Sequence, residues 1–336
     1  MLLVARSWCW TECARKWLYP ALAVFLLTLG PLNVRAGEYR SWTGDFLRMG
    51  AGARALGMGN AYNAVDGDIF SAYYNPAGLA GLNGVQIAVS PRYMSMDRYF
   101  SHAAFGSRIG PDADFAISWI GAGTNDVQGR DLNGNRTGTL KDSRNSFAVT
   151  FAKNAGNMVS VGVNAKVSLW NLAGDNARAF GFDAGVIVRP VEHLTAALVV
   201  RDLNSRFTWN AKRWSGQLSG SDGQAMDKED KLPLYCTFGL AYRALGDRLI
   251  LSAMTESVQD NPTGFDMGLS YAVNRIFTLR GGMYNYTLSD QLEYGSLTAG
   301  FGLQVTGSIG LDYAYAADAL ENDRVHVLSL VLNYGE

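Results

Sequence analysis

Few residues of this chain have the types and spacing that catalysis or metal binding requires. The three histidines, His102, His193 and His326, are too far apart in sequence to form a local metal motif. The sequence contains no Gly-x-Ser-x-Gly motif, the pattern of a serine-hydrolase nucleophile elbow. Residues 50–55 match the Gly-x-Gly-x-x-Ala form of a dinucleotide fingerprint, but no strand–helix–strand pattern surrounds them. We therefore predict no catalytic residues, no metal and no cofactor, and a protein that is not an enzyme.

One further run has a spacing that suggests a ligand. Asp131, Asn133 and Asn135 alternate with other residues, as at the start of a calcium-binding loop. However, Arg136 occupies the position at which such a loop needs a glycine for its sharp turn. Runs rich in Asn, Asp and Gly are typical of surface turns, so we favour a turn here.

The composition narrows the class of protein that must position these residues. The chain has 336 residues and a formal net charge of −1, which disfavours a nucleic-acid binder with a strongly basic face. It is 48% hydrophobic and 18% charged, with 38 glycines, and this mixture does not fit a disordered chain. No internal apolar run is long enough for a membrane-spanning helix. A soluble β-rich protein and a membrane β-barrel remain.

Residues 1–36 predict a secretory signal peptide. Basic residues precede an apolar run from Trp17 to Leu32, and Val34-Arg35-Ala36 offers a small-residue cleavage site. An N-terminal membrane anchor is the alternative, but proline and glycine interrupt this short run. After cleavage Cys236 is the remaining cysteine, so we expect no internal disulfide.

The rest of the chain is dominated by a two-residue period. In residues 159–169, 265–273 and 297–305, apolar side chains alternate with small or polar ones, which is typical of strands with two different faces. Most such segments have about the ~9–11 residues that a tilted strand needs to cross a bilayer. We predict fourteen of them: 85–93, 98–108, 113–121, 144–153, 158–170, 179–189, 194–202, 232–243, 247–255, 264–273, 276–284, 295–305, 308–315 and 324–334.

The connections between these segments distinguish a barrel from a soluble sandwich. Links after the even-numbered segments are short, whereas those after the odd-numbered ones are mostly longer, including polar stretches at 122–143 and 203–231. Short turns on one side and long loops on the other are typical of outer-membrane barrels. The sequence therefore predicts an all-β fold, a 14-stranded antiparallel transmembrane β-barrel over residues 85–336.

The two faces of the predicted strands differ in character. Outward positions carry Val, Leu, Phe and Ile, as contact with lipid requires. Inward positions are small or polar and include the charged residues Arg92, Lys166, Asp183, Arg280 and Asp312. Aromatic residues near strand ends are candidates for interfacial girdles: Trp119, Trp170, Tyr242, Tyr271, Tyr313, Tyr315 and Tyr334.

Residues 37–84 do not alternate and are rich in Gly and Ala. Because a fourteen-stranded barrel is too wide for its own side chains to fill, we predict that this piece forms a lumenal plug, or hatch. Glycines would permit its backbone to approach the wall closely. Arg54, Asp66 and Asp68 are candidates to pair with charged wall residues. A disordered or periplasmic arm is the alternative.

Two motifs in this piece carry a family resemblance. The run from Gly52 to Tyr62 and the run from Ser71 to Leu79 resemble the N-terminal region of PorV/PorQ-type proteins, within the FadL-like group of outer-membrane barrels. The resemblance covers residues 46–82, and the Asn-Pro-Ala step within it looks like a hallmark of the FadL hatch. It implies a hatch or gating motif made of Gly52, Arg54, Gly57, Gly59, Asn75, Pro76 and Ala77.

The resemblance leaves two functions open. FadL-type relatives pass long-chain fatty acids or other hydrophobic molecules, which implies an outer-membrane channel or transporter for hydrophobic or amphipathic small molecules. PorV-type relatives serve secretion and surface attachment, which implies a non-transporting component that binds a secreted protein. In either case Phe207, Trp209 and Trp214, which lie in the predicted loop at 203–231, are candidates to contact the ligand or the partner. The expected location is the outer membrane of a Gram-negative-type bacterium, with its lipid around the barrel.

Overall fold

A computed structural model describes residues 43–211, 226–258, 264–287, 295–317 and 324–335. Within them the chain forms fifteen strands. They are β1 (Val85–Tyr93), β2 (Arg98–Arg108), β3 (Ala113–Arg130), β4 (Arg136–Ala155), β5 (Val159–Leu172), β6 (Asp175–Val191), β7 (Leu194–Ala211), β8 (Met226–Lys231), β9 (Tyr235–Ala244), β10 (Leu249–Val258), β11 (Gly264–Ala272), β12 (Phe277–Thr287), β13 (Ser296–Gln304), β14 (Ile309–Ala317) and β15 (Arg324–Tyr334).

Fourteen of these strands close into a barrel. Each pairs antiparallel with its neighbour from β1 to β7 and from β9 to β15, while β7 pairs with β9. The last strand returns to the first, with Val85 opposite Tyr334. Strand β8 is an addition that pairs with the far end of β7, from Arg206 to Ala211. The predicted fourteen-stranded antiparallel barrel is confirmed.

Two predicted loops contain strand. Residues 122–143 continue β3 and β4 into a two-stranded ribbon beyond the barrel wall, with a turn at Asp131–Asn135. Residues 203–211 continue β7, and residues 226–231 form β8, which pairs with it. The alternation of apolar and polar residues stops where the ribbon leaves the wall, because both of its faces then meet water, so the sequence pattern underestimates these strands.

The outward face of the wall is apolar along its middle. Phe147, Val163, Phe180 and Leu297 are each at least half exposed, as side chains that contact lipid must be in an isolated barrel. None of the helices among the described residues is long and apolar enough to cross a membrane. A closed ladder satisfies every strand's backbone within the sheet, so the strands themselves can cross.

Residues 43–84, called the N-terminal segment from here on, lie against the inner face of the wall. They contain 3-10 turns at Asp45–Arg48 and Pro76–Leu79 and short helices at Ala53–Gly57 and Ser71–Tyr74. The first helix contacts β12 to β15, whereas the second 3-10 turn contacts β3 to β6, so the segment meets the wall on both sides. Its apolar side chains are almost fully buried with the small inward residues of the wall.

The segment also runs along the barrel from one end to the other. Phe46 lies near the end with the longer connections, called the outer end, where Arg144 of β4 approaches its ring. Gly84 joins Val85 at the opposite end, where the short turns lie and which outer-membrane barrels place in the periplasm.

Candidate functional site

The Asn75-Pro76-Ala77 step lies on two glycines of the wall. A Cβ added to Gly162 of β5 would overlap the backbone of Pro76 and Ala77. A Cβ added to Gly185 of β6 would overlap the side-chain oxygen of Asn75. The missing side chains of these glycines therefore make the space in which the step sits.

Asn75 holds the local backbone in place with both ends of its side chain. Its Oδ1 accepts a hydrogen bond from Ala77 N at 2.9 Å, and its Nδ2 donates to Asn63 O at 2.8 Å. The residue is fully buried and extended (φ −151°, ψ 113°), as a residue before proline prefers. It acts as the N-cap of the Pro76–Leu79 turn, and the proline at the first position of this turn needs no donor there.

A second close approach involves Gly57 and Gly59 on the other side of the lumen. Gly59 has a left-handed φ of +59°, and a Cβ there would lie 2.5 Å from the Met267 carbonyl oxygen and from the Met283 backbone. Gly57 lies against Gly300 of β13. A Cβ added to Gly300 would come within 3.3 Å of the Cα of Gly57. Gly59 in the segment and Gly300 in the wall therefore leave no space for a side chain, whereas a Cβ on Gly57 itself would make contacts of 3.4 Å or more.

Gly52 serves the inside of the segment. Its φ is +84°, and an added Cβ would lie 2.5 Å from the ring of Phe70. Phe70 is fully buried, so the ring has no space into which it could retreat. This glycine lets the turn before Ala53–Gly57 pass directly over an aromatic core residue.

Polar side chains of the wall satisfy the backbone of the segment. A buried peptide group without a partner is costly, so a chain folded inside a barrel needs such partners. The donors and acceptors on the wall are Ser329 Oγ with Ala53 N, Thr298 Oγ1 with Gly59 N, Gln86 Oε1 with Ile69 N, Asp114 Oδ2 with Gly81 N, Arg92 with Met49 O and Gly50 O, Asn164 with Ala72 O, and Arg201 with Tyr74 O. Side chains of the wall thus bind the backbone of the segment along its length.

Arg54 bridges the segment and the wall. Its guanidinium lies 3.0 Å from Asp68 in the segment and 3.3 Å from Asp312 of β14, which also pairs with Arg280 at 2.7 Å. The negative charge of Asp312 raises the pKa of Arg54. Burial raises the pKa of Tyr62, whose hydroxyl stays protonated and donates to Asp68.

The predicted pairing of Arg54 with the wall is therefore present. Asp68 differs from the prediction, because its side chain binds Arg54, Tyr62 and Ser71, all within the segment.

Asp66 makes a second link to the wall, near the periplasmic end. Arg189 of β6 and Arg243 of β9 both donate to its carboxylate. The prediction that Asp66 pairs with wall charges is confirmed, and its partners are two arginines outside the set of predicted wall charges. Their positions in the inward phase of the alternation could have identified them.

A charged layer lies closer to the outer end. Lys166 Nζ is 2.7 Å from Asp183 and 2.8 Å from Asp202, and Arg48 of the segment is 3.2 Å from Asp202. Two register shifts in β7, with a left-handed φ of 59° at Asp202, turn both Arg201 and Asp202 inward. A cavity of ≈ 30 Å³ remains beside this layer, enough for ordered water.

Above the charged layer, at the outer end, aromatic and aliphatic side chains form what we call the mouth cluster. Phe46 and Leu47 of the segment pack there with Phe100, Ile120 and Phe207 of the wall. Trp170 and Trp209 cover them half-buried, with ring centroids 5.0 Å apart.

Two sequence predictions change at the mouth cluster. Phe207 and Trp209 lie on β7 and point inward, not in a loop, because the strand continues past the wall. Trp170 also faces the lumen and donates to Asp142 Oδ1 at 2.7 Å, so it is not part of an outward girdle. Trp214 lies outside the described residues.

The remaining predicted wall charges point inward. Arg92, Lys166, Asp183, Arg280 and Asp312 all contact the segment or one another. Among the residues that the structure describes, no cluster of His, Cys, Asp and Glu has the arrangement of a metal site. The Asp131–Asn135 run forms a turn in which Asp131 Oδ1 accepts from Asn133 N and Asn135 N.

These features define a class of protein. A closed barrel of fourteen strands with an apolar outer face and a polar, occupied lumen spans a membrane, and barrels of this kind belong to the outer membrane of Gram-negative-type bacteria.

Several solved structures share this fold. The toluene transporter TbuX of Ralstonia pickettii is 16% identical, with 85% of this chain and 98% of that chain covered at a TM-score of 0.60. The CymD monoaromatic hydrocarbon channel is 11% identical over 85% and 98% of the chains, at a TM-score of 0.63. A FadL homologue of Pseudomonas aeruginosa is 12% identical over 82% and 96%, at a TM-score of 0.56.

No family model matches the chain, and no curated protein matches it by sequence. The similarity to the solved structures establishes the fold, which this chain shares with these three proteins.

Proposed function

We propose that the protein is an outer-membrane channel for hydrophobic or amphipathic small molecules and that it is not an enzyme. In this proposal residues 1–36 are removed on export, residues 37–84 are a plug and residues 85–336 are the barrel. The observation that carries it is the mouth cluster, a group of large aromatic and aliphatic side chains at the outer end of the lumen, directly above a charged layer. The solved structures of the same fold include a toluene transporter and a monoaromatic hydrocarbon channel.

The mouth cluster suits capture of an apolar molecule. Ring edges and faces of Trp170, Trp209 and Phe207 would bury such a ligand, and apolar pockets with few polar groups are typical of small-molecule sites. Lys166, Asp183 and Asp202 lie directly beneath and pair with one another. A ligand with one polar end would place that end on this layer and its apolar part among the rings.

We further propose that the N-terminal segment gates the lumen. Gly52, Arg54, Gly57, Gly59, Asn75, Pro76 and Ala77 are the residues of this gate. Their roles differ: Gly57, Gly59 and the Asn-Pro-Ala step fit the segment to the wall, and Gly52 fits it over its own Phe70. Arg54 and Asp66 bind the segment to the wall by ion pairs. Because the segment packs closely against the wall, passage of a ligand requires part of the segment to move.

The test is uptake. Purified barrel in proteoliposomes, or cells with and without the gene, would be given a labelled monoaromatic hydrocarbon and a labelled long-chain fatty acid. We expect faster entry of at least one compound with the protein present, and no effect on a sugar of similar size. Equal entry of every compound with and without the protein would overturn the proposal.

A second candidate function is supported by the ribbon of β3 and β4. Beyond Asn125 neither edge of the ribbon pairs with another strand in the described part of the chain, and Val127 and Leu140 pair across it with exposed side chains. Such a free edge can pair with a strand of another protein. This is the non-transporting, secretion-related role that the PorV/PorQ resemblance implies. Unchanged uptake together with a depleted set of surface proteins in cells lacking the gene would favour it.

A further inference from the structure

An outward patch of cations lies at the outer end of β6, β7 and β8. Arg178, Arg206 and Lys231 are exposed, whereas their chain neighbours Ala177, Phe207 and Leu232 are buried on the inward side. Arg206 of β7 lies directly opposite Lys231 of β8. On its other side Arg206 lies opposite Phe180 of β6, and Arg178 is the next outward residue of β6 toward the outer end. We call these three residues the rim patch.

The charges near the rim patch are sorted by face. The carboxylates of Asp142, Asp202 and Asp230 turn into the lumen, where they bind Trp170, Lys166 and Trp209 respectively. Glu229 is the outward carboxylate of the patch, and it lies 3.1 Å from Arg206. Among the side chains that the structure describes, three cations thus face outward with one carboxylate among them, and Arg178 and Lys231 make no ion pair there.

Like charges directly opposite each other on a sheet destabilise it. Arg206 and Lys231 occupy such a position, so an anion between them would relieve their repulsion. The apolar residues Phe180, Phe182 and Leu203 continue the same outward face below the cations and are well exposed. Cations above and apolar side chains below are the arrangement that a lipid with an anionic headgroup and acyl chains would fit.

We propose that the rim patch binds a phosphate-bearing lipid of the outer leaflet, with its phosphate on Arg178, Arg206 and Lys231 and an acyl chain along Phe180 and Leu203. Arginine pairs with phosphate through two parallel hydrogen bonds, which suits it to this headgroup. The site lies on the lipid-facing surface and does not depend on whether the lumen transports anything.

The test uses the full folded barrel in detergent micelles and bisphosphorylated lipid A as the probe. Lipid phosphorus that co-elutes with each barrel is measured over a series of lipid concentrations at two salt concentrations. Each basic residue near an anionic lipid surface changes binding by roughly five-fold. We therefore expect the variant R178Q/R206Q/K231Q to bind at least tenfold more weakly and with less dependence on salt.

Three controls define the site. Arg324→Gln removes an exposed cation from β15, on another part of the barrel, and should leave binding within twofold. Glu229→Gln frees Arg206 from its carboxylate and should leave binding as tight or tighter. Lipid A without phosphates should bind the unaltered protein no better than bisphosphorylated lipid A binds the triple variant.

Unchanged binding by the triple variant, equal binding of phosphate-free lipid A, or an equal loss in Arg324→Gln would each overturn the proposal. If the triple variant does not migrate as a folded barrel on a cold gel, Arg178→Gln and Lys231→Gln replace it, each with an expected loss of about five-fold. Uptake of a hydrophobic compound by the triple variant should remain unchanged, which separates this site from the proposed channel.

Discussion

Asn75 belongs to the Asn-Pro-Ala step of the family resemblance and also makes two buried hydrogen bonds to the backbone. Its side chain satisfies Ala77 N and Asn63 O inside the barrel, where no water is expected to replace it. Asn75→Ala therefore leaves two buried backbone groups without partners, at about 1–3 kcal/mol for each. We expect the segment to loosen while the strands remain paired. Entry of a dye or a large antibiotic should increase, with normal heat-modifiable migration of the barrel.

Asn75→Asp is the matched control for this substitution. It retains the acceptor for Ala77 N but turns a buried carboxylate oxygen toward Asn63 O, so its permeability should be at least that of Asn75→Ala. Equal permeability of all three proteins would contradict the role of Asn75 in closing the lumen.

Gly59 tests the close approach itself. Gly59→Ala places a Cβ 2.5 Å from the backbone of Met267 and Met283, so the first helix must move away from the wall. Gly81→Ala is the control, because it has a similarly positive φ of +95° but no atom within 4 Å of the added Cβ. Both variants carry the ~1–2 kcal/mol cost of a left-handed alanine. Leakage should rise in Gly59→Ala and stay near normal in Gly81→Ala, as measured by dye entry.

At the scale of elements, the gating proposal depends on movement of Ala53–Gly57 relative to β14. A Cβ on Gly57 would lie 3.7 Å from the Cβ of Ala314, within the ~3.5–4.5 Å range of a disulfide. In a Cys236→Ser background, the pair G57C/A314C should form this bond on oxidation. We expect oxidised protein to lose uptake of the hydrophobic compound and reductant to restore it.

Each single cysteine variant, oxidised in the same way, should keep its uptake. If the cross-linked protein transports as well as the reduced one, the movement at this helix is not required, although the channel function itself would stand.

The elements also divide into those that a sequence pattern can and cannot predict. β1, β2 and β15 begin and end where predicted, since lipid on one side and the segment on the other enforce alternation to their ends. The ribbon of β3 and β4 was missed because its residues meet water on both faces. The partners of Asp66 depend on which strands lie side by side across the lumen, and those of Asp68 depend on how the N-terminal segment folds on itself. Residue types alone determine neither.

Among the described residues, the strands of the barrel differ in length. Strands β3 to β7 have 14 to 20 residues, whereas β9 to β15 have 9 to 11. The wall residues of the mouth cluster lie on β3, β5 and β7, on this taller side, and on the adjacent β2. The extra height therefore does two things: it carries apolar residues above the charged layer and it raises the ribbon beyond the wall.

These two uses of the taller side can be separated by trimming. Replacement of residues 126–140 by a two-residue turn removes Val127, Leu132 and Leu140. The residues of β3 up to Asn125 and those of β4 from Lys141 onward stay in place. Because the mouth cluster does not include the ribbon, we expect trimmed barrels to fold and to take up the hydrophobic compound at the normal rate. Uptake in proteoliposomes and migration on a cold gel would measure this. Loss of uptake with normal folding would place the ribbon in the transport path, whereas normal uptake with a depleted set of surface proteins would assign the ribbon to a protein partner.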